Sequence, residues 1–145
     1  MSPILLDTHV AIWSSSGMLT ASGAKTIDDA AAQGELMLSP ITAWEIGMLV
    51  EKRRIVLRVG VLDYVRELFG RAGVVTATLT PAIAATASTF SAGFHGDPAD
   101  RILVATAAAY GATLVTADMQ IHGFAKSTGL FRCIGARRRT HTARC

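Results

Sequence analysis

Apolar positions along this chain fall into two kinds of block that alternate. Short apolar runs at residues 3–6, 35–38, 74–79 and 113–116 have the length of buried strands, and 131–134 reads as an edge strand. Between them lie stretches with helical signals. Residues 8–13 predict a short helix that leaves through Ser14-Ser15-Ser16-Gly17. Residues 20–33 predict a second, closed by Gly34, with Asp28 and Asp29 facing solvent. Ser39-Pro40 supplies a capping residue and a first-turn proline to a third, on which Ile41, Trp44, Met48 and Leu49 share one face. A charged run at 51–54 and a short extended piece at 55–57 follow. Residues 61–71 predict an amphipathic helix stopped by Gly73, and Thr80-Pro81 starts another that runs through Phe90. A loop at 91–96, carrying His95, leads to Asp97-Pro98 and a long apolar helix ending near Tyr110-Gly111. Residues 124–130 read as turn-like.

Strands alternating with helices predict an α/β fold around a mainly parallel sheet. The functional crevice of such a sheet lies beyond the carboxyl ends of its strands. Asp7 and Asp118 each follow a predicted strand directly, Glu45 lies in the second turn of a helix after a strand, and Asp100 in the first turn of its own. All four can open onto one edge of the sheet. Each also has a purely structural explanation. Asp7 can cap a helix, Asp118 can make a turn, and Asp97 with Pro98 is a helix start in which Asp100 suits the dipole. Glu45 resists that explanation most, because a charge on an apolar stripe needs a partner, and Lys52 to Arg54 lie too far along the helix.

Several carboxylates without matching cations repel one another and raise each other's pKa unless a divalent ion neutralises them. Oxygen-only ligands favour Mg²⁺ or Mn²⁺ over zinc, and such ions can activate water for phosphodiester hydrolysis. Other chemistries find little support. His9, His95, His122 and His141 show no zinc-protease spacing, and there is no Walker A loop, G-x-S-x-G or G-x-G-x-x-G. An aspartyl-nucleophile phosphatase remains a distant alternative, weakened because Asp7-Thr8-His9 lacks a second aspartate two residues on.

Composition narrows the setting. At 145 residues, half of them hydrophobic and 6% aromatic, the chain fits one domain with a small-residue core, assigned to 1–134. The net charge of +3 comes from the end: Arg137, Arg138, Arg139 and Arg144 lie in the last nine residues, leaving 10 basic against 11 acidic residues before them. Residues 135–145 therefore read as a basic, disordered tail, its solvated reading preferred to RNA binding. Cys133 and Cys145 form neither a metal spacing nor a disulfide framework. Residues 1–7 lack the basic region of a signal peptide, and the apolar run 102–117 is short of the roughly 20 residues of a membrane span, so a soluble, cytoplasmic protein is expected.

Four segments carry a family resemblance: Leu5-Leu6-Asp7-Thr8-His9, Ser39-Pro40-Ile41-Thr42-Ala43-Trp44-Glu45-Ile46, Asp97-Pro98-Ala99-Asp100-Arg101 and Leu114-Val115-Thr116-Ala117-Asp118. In order and spacing they resemble the signature segments of PIN-domain ribonucleases, most closely VapC toxins of bacterial toxin–antitoxin pairs. The resemblance implies a three-layer α/β/α fold and a Mg²⁺- or Mn²⁺-dependent endoribonuclease with Asp7, Glu45, Asp100 and Asp118 at its catalytic metal site. It selects Asp100 over Asp97 as ligand, and gives Thr116, Thr8 and the helix-starting Asp97 supporting places. It further implies an RNA substrate, a homodimer, and a small antitoxin that occupies a groove at the acidic site. A catalytically silent PIN-like module binding RNA or protein is the alternative from another class. Arg101 has no role assigned by sequence.

Overall fold

The structure is a computed structural model and describes residues 2–90, 94 and 96–139. Five strands among these residues, β1 (Ile4–Leu6), β2 (Leu36–Leu38), β3 (Val74–Thr76), β4 (Thr113–Val115) and β5 (Arg132–Ile134), form one sheet in the order β3-β2-β1-β4-β5. Every pairing is parallel, and Leu5 of the central strand is in register with Met37 and Leu114. Seven helices among the described residues surround it: α1 (Thr8–Ser15), α2 (Ala21–Ala32), α3 (Pro40–Glu51), α4 (Val61–Phe69), α5 (Pro81–Ala87), α6 (Pro98–Tyr110) and α7 (Met119–Thr128).

Strand side chains alternate between faces, so a strand buried on both sides must be apolar throughout. Leu5 faces a cluster with Leu103 and Val104 of α6 and Ile121 and Phe124 of α7. Leu6 faces the opposite cluster, with Val10 of α1, Ile27 of α2, Ile46 of α3 and Leu68 of α4. The result is the expected three-layer α/β/α arrangement, with α5 packed outside α6 through Ile83, Ala87 and Ala105. No helix among the described residues is long and apolar enough to cross a membrane.

Several expectations are corrected. Residues 124–130 are not a turn: α7 runs to Thr128, closed by Gly129 at φ 66°, and Phe124 holds it down by stacking on Phe94 with ring centroids 4.8 Å apart. Gly123 inside the helix concealed this pattern. The third strand stops at Thr76, though Ala77 N–H still donates to Leu38 O at 2.8 Å, and α5 stops at Ala87 rather than Phe90. Residues 55–57 join no strand, but Ile55 and Leu57 pack on the core. Gly70 caps α4 instead of Gly73. Gly73 serves another purpose: at φ 84°, a Cβ there would lie 1.8 Å from the carbonyl oxygen of Ala31.

The face proposed for α3 also differs. Thr42 and Ile46 point fully inward, while Trp44 is 58% exposed. Asp28 and Asp29 are exposed as expected, and each holds a cation, Arg71 and Lys25 respectively. The first part of the supposed tail is not free: Ala136 is buried, Arg138 bridges Leu19, and Arg139 N–H donates to Met18 O at 2.6 Å. Ser91 to Gly93, His95 and residues 140–145 lie outside the described residues.

Candidate active site

Asp7, Glu45, Asp97, Asp100 and Asp118 line one cavity of about 360 Å³ beyond the carboxyl ends of β1 and β4. The fold brings them there by four local devices. Asp7 leaves β1 and caps α1, and Asp118 leaves β4 and caps α7. Asp97 caps α6, with Pro98 behind it and Asp100 in the first turn. Glu45 comes from the second turn of α3, which Ser39 and Pro40 start. Capping and site formation are thus compatible. Three of the acids satisfy backbone N–H groups at helix starts and face the same cavity.

Hydrogen bonds hold the strand side of this cavity. Asp7 is buried, with 8% exposure; its Oδ1 accepts from Thr8 N–H at 2.6 Å and its Oδ2 from the Thr116 hydroxyl at 2.5 Å. Thr116 Oγ1 in turn accepts from Asp118 N–H at 3.0 Å, and Asp118 Oδ1 accepts from Gln120 N–H at 2.8 Å. The Thr8 hydroxyl donates to Glu45 Oε1. A hydroxyl has one proton, so the 3.1 Å contact between Thr8 and Thr42 must have Thr42 as donor. Thr116 and Thr8 thus each donate a hydrogen bond to one of the acids. Thr42 was missed; its signal in the sequence was a polar residue three before Glu45, on the same side of the helix. His9 and Trp13 also line the cavity and had no assigned role. Arg101 acquires one: its Nε donates to Gly96 O at 3.1 Å, tying down the segment before α6.

The helix side is less satisfied. Burial, then Asp97, Asp7, Glu45 and Asp118, push the Asp100 carboxyl up to about 8. Burial raises Glu45 to about 7 against the Thr8 hydrogen bond, with Asp7 and Asp97 adding to the rise. Burial also raises Asp7, opposed by the hydrogen bonds from Thr116 and Thr8. The field extends to β5, where burial, Asp7 and Asp118 push the Cys133 thiol up to about 11, so it stays protonated and inert.

No Lys or Arg among the described residues lines this cavity. Glu45, Asp97 and Asp100 can each offer one carboxylate oxygen with all three within 4.8 Å of one another. Asp7 and Asp118 lie outside that tightest group, and Asp97, expected mainly as a cap, lies inside it. An oxygen-only set with no Lys or Arg among the described lining residues fits a hard divalent cation better than a thiophilic metal.

Residues 4–126 match the PIN domain family. The chain belongs to that family. Ribonuclease VapC22 of Mycobacterium tuberculosis is similar to this PIN-domain protein at 38% identity over 123 residues, 83% of this chain and 91% of the relative. Among solved structures, VapBC2 from Rickettsia felis bound to a DNA fragment from its promoter matches with a TM-score of 0.66 at 14% identity, covering 92% of this chain and 98% of that one. FitAcB from Neisseria gonorrhoeae matches with a TM-score of 0.58 at 22% identity, covering 90% and 96%. At such identities the structural matches speak for the fold alone.

Proposed function

We propose that this PIN-domain protein is a divalent-metal-dependent endoribonuclease and the toxin of a toxin–antitoxin pair. One observation carries the reading: five carboxylates from four separate elements share a cavity that no Lys or Arg among the described residues lines. Kinship with a VapC ribonuclease supplies the substrate class.

Asp7, Asp100 and Asp118 would hold Mg²⁺ or Mn²⁺, with Asp97 beside them and Glu45 as a further ligand or as the base. A bound divalent ion would supply the positive charge these acids lack and Lewis acidity toward the phosphoryl oxygens. Glu45, raised to about 7 in the metal-free chain, would be lowered by a bound cation and so stand unprotonated as a base near neutrality. Thr8 occupies its Oε1, which leaves Oε2 for the proton of an attacking water. Thr116 orients Asp7 and so fixes one wall of the site against the strands.

By analogy with the VapBC2 and FitAcB neighbours, which share the fold, an antitoxin partner and a homodimer belong to the same proposal. The deciding experiment compares wild type and Asp7→Asn on structured RNA with Mg²⁺, with Mn²⁺ and with chelator. Cleavage is expected only for wild type with metal. Cleavage that survives chelation or the substitution overturns the reading, and RNA binding without cleavage under every condition marks a silent module.

A further inference from the structure

A second cavity of about 350 Å³ adjoins the first between α3 and the start of α6, and the two share His9, Glu45 and Asp97 as walls. Its remaining chemistry is different. Trp44, Lys52 and Arg54 line it, with Met48 and Leu49 as apolar surface. Trp44 is 58% exposed, so its indole contributes little to the core, although Thr42 and Ile46 on the same helix are fully buried. The salt bridges among the described residues are Lys25 with Asp29 and Arg71 with Asp28, so Lys52 and Arg54 have no carboxylate partner there.

The backbone after α3 accounts for where these cations lie. Arg53 takes φ 56°, in the left-handed region that favours glycine, and Arg54 N–H donates back to Leu49 O at 2.8 Å. The chain reverses at Arg53 and keeps Arg54 against the cavity alongside Lys52. Trp44, Met48 and Lys52 follow one another at helical spacing along one side of α3, a span of about 12 Å.

We propose that this cavity is a nucleotide subsite beside the scissile phosphate, where Trp44 stacks a base of single-stranded RNA and Lys52 and Arg54 hold the adjoining backbone phosphate. The proposal rests on the nuclease reading for the identity of the strand. Charge selects the occupant. A strand with repeated anionic groups can place one phosphate at the metal-filled acids and the next at the two cations. A basic peptide segment would be drawn to the acids and repelled here. Stacking on an exposed indole tolerates any base, so the subsite sets strand path and affinity more than sequence.

Kinetics on a short unstructured oligoadenylate with Mg²⁺ test this with Trp44→Ala, Trp44→Phe and the double variant Lys52→Gln/Arg54→Gln. Trp44→Ala should raise KM by about 10-fold or more with little change in kcat, and Trp44→Phe should recover most of the loss. The double variant should flatten the dependence of log affinity on log salt by about 0.7 for each phosphate that is no longer neutralised. In Trp13→Phe, where Trp44 is the remaining tryptophan, the oligomer should quench the indole fluorescence. Unchanged KM, salt slope and fluorescence in a protein that still cleaves overturn the subsite and leave the nuclease reading standing. The same follows if the variants weaken only inhibition by the antitoxin. If wild type cleaves nothing while quenching and the salt effect persist, the nuclease reading falls and the nucleotide site stands.

Discussion

The two sides of the acid cavity are built in opposite ways. On the strand side, Asp7 is buried, yet both its oxygens accept hydrogen bonds, from Thr8 N–H and from Thr116. On the helix side, Asp100 is pushed up to about 8 by burial and by four other acids, with no hydrogen bond among the causes to oppose them. Burial raises both carboxyls, but hydrogen-bond donors oppose the rise at Asp7 and none opposes it at Asp100. The fold supplies hydrogen-bond donors to the strand side, whereas the helix side is left with carboxylates that a cation could neutralise. Hydrogen bonds fix Asp7 in place although burial still raises it, and Asp100 has no such donor, so both charges call for an outside partner.

Substitution of the two aspartates should separate these roles most strongly. Asp100→Asn is expected to reduce Mg²⁺-dependent RNA cleavage by about 10²-fold or more. The same change should raise the Tm of metal-free protein at pH 8 by about 3 °C or more, because it removes a crowded charge. Asp7→Asn should abolish cleavage as well, but should stabilise the metal-free protein less, since it disturbs the bond with Thr116. Thermal melts that show equal gains for both variants would remove the distinction between the two sides.

Acidity offers a second comparison. Glu45 and Asp100 bind protons in the folded, metal-free chain up to about 7 and about 8, where the unfolded chain has already released them. The folded state therefore binds more protons, and the contribution of these groups to stability falls as pH rises. It is fully present below about pH 4 and is lost as pH climbs through about 7 and 8. Urea titrations of metal-free protein should show this decline. Mg²⁺ should offset it increasingly at higher pH, because metal and protons compete for the same oxygens. Metal-free stability that rises between pH 5 and 8 through these groups would contradict the crowding.

The smaller effects probe the hydroxyls. Thr116→Val deprives buried Asp7 of a donor and Asp118 N–H of an acceptor, and should cost about 1–3 kcal/mol by chemical denaturation. Thr8→Val removes the bond that opposes the rise in Glu45 and should move its titration above 7, as read by carboxyl NMR. A downward movement would mean that Thr8 does not support the charged form.

Much of the frame was legible because its signals are local. Asp7 and Asp97 cap helices from positions that the sequence exposed, and Pro40 and Pro98 mark the starts of α3 and α6, whereas Asp118, expected to make a turn, caps α7. Glu45 was recognised for an imperfect reason, since the stripe assigned to it includes the exposed Trp44. The buried positions around it are Thr42 and Ile46. On a helix that is apolar nearly all round, composition does not tell which side faces the core. Helix α7 escaped notice because its stability comes from Phe124 meeting Phe94 and Phe131, contacts with residues outside the helix.

By itself, the sequence determined the alternation of strands and helices, the placement of acids where strands end and helices begin, and the family signature. Periodicity and capping act over a few residues, so the order of residues suffices to reveal them. Tertiary structure alone decided which carboxylate oxygens are satisfied. Thr116 reaches Asp7 from 109 positions away, and Thr42 reaches Thr8 from 34. It also left Trp44 in solvent beside Lys52 and Arg54. Burial and hydrogen bonding depend on partners that only the assembled sheet and its two helical layers bring together.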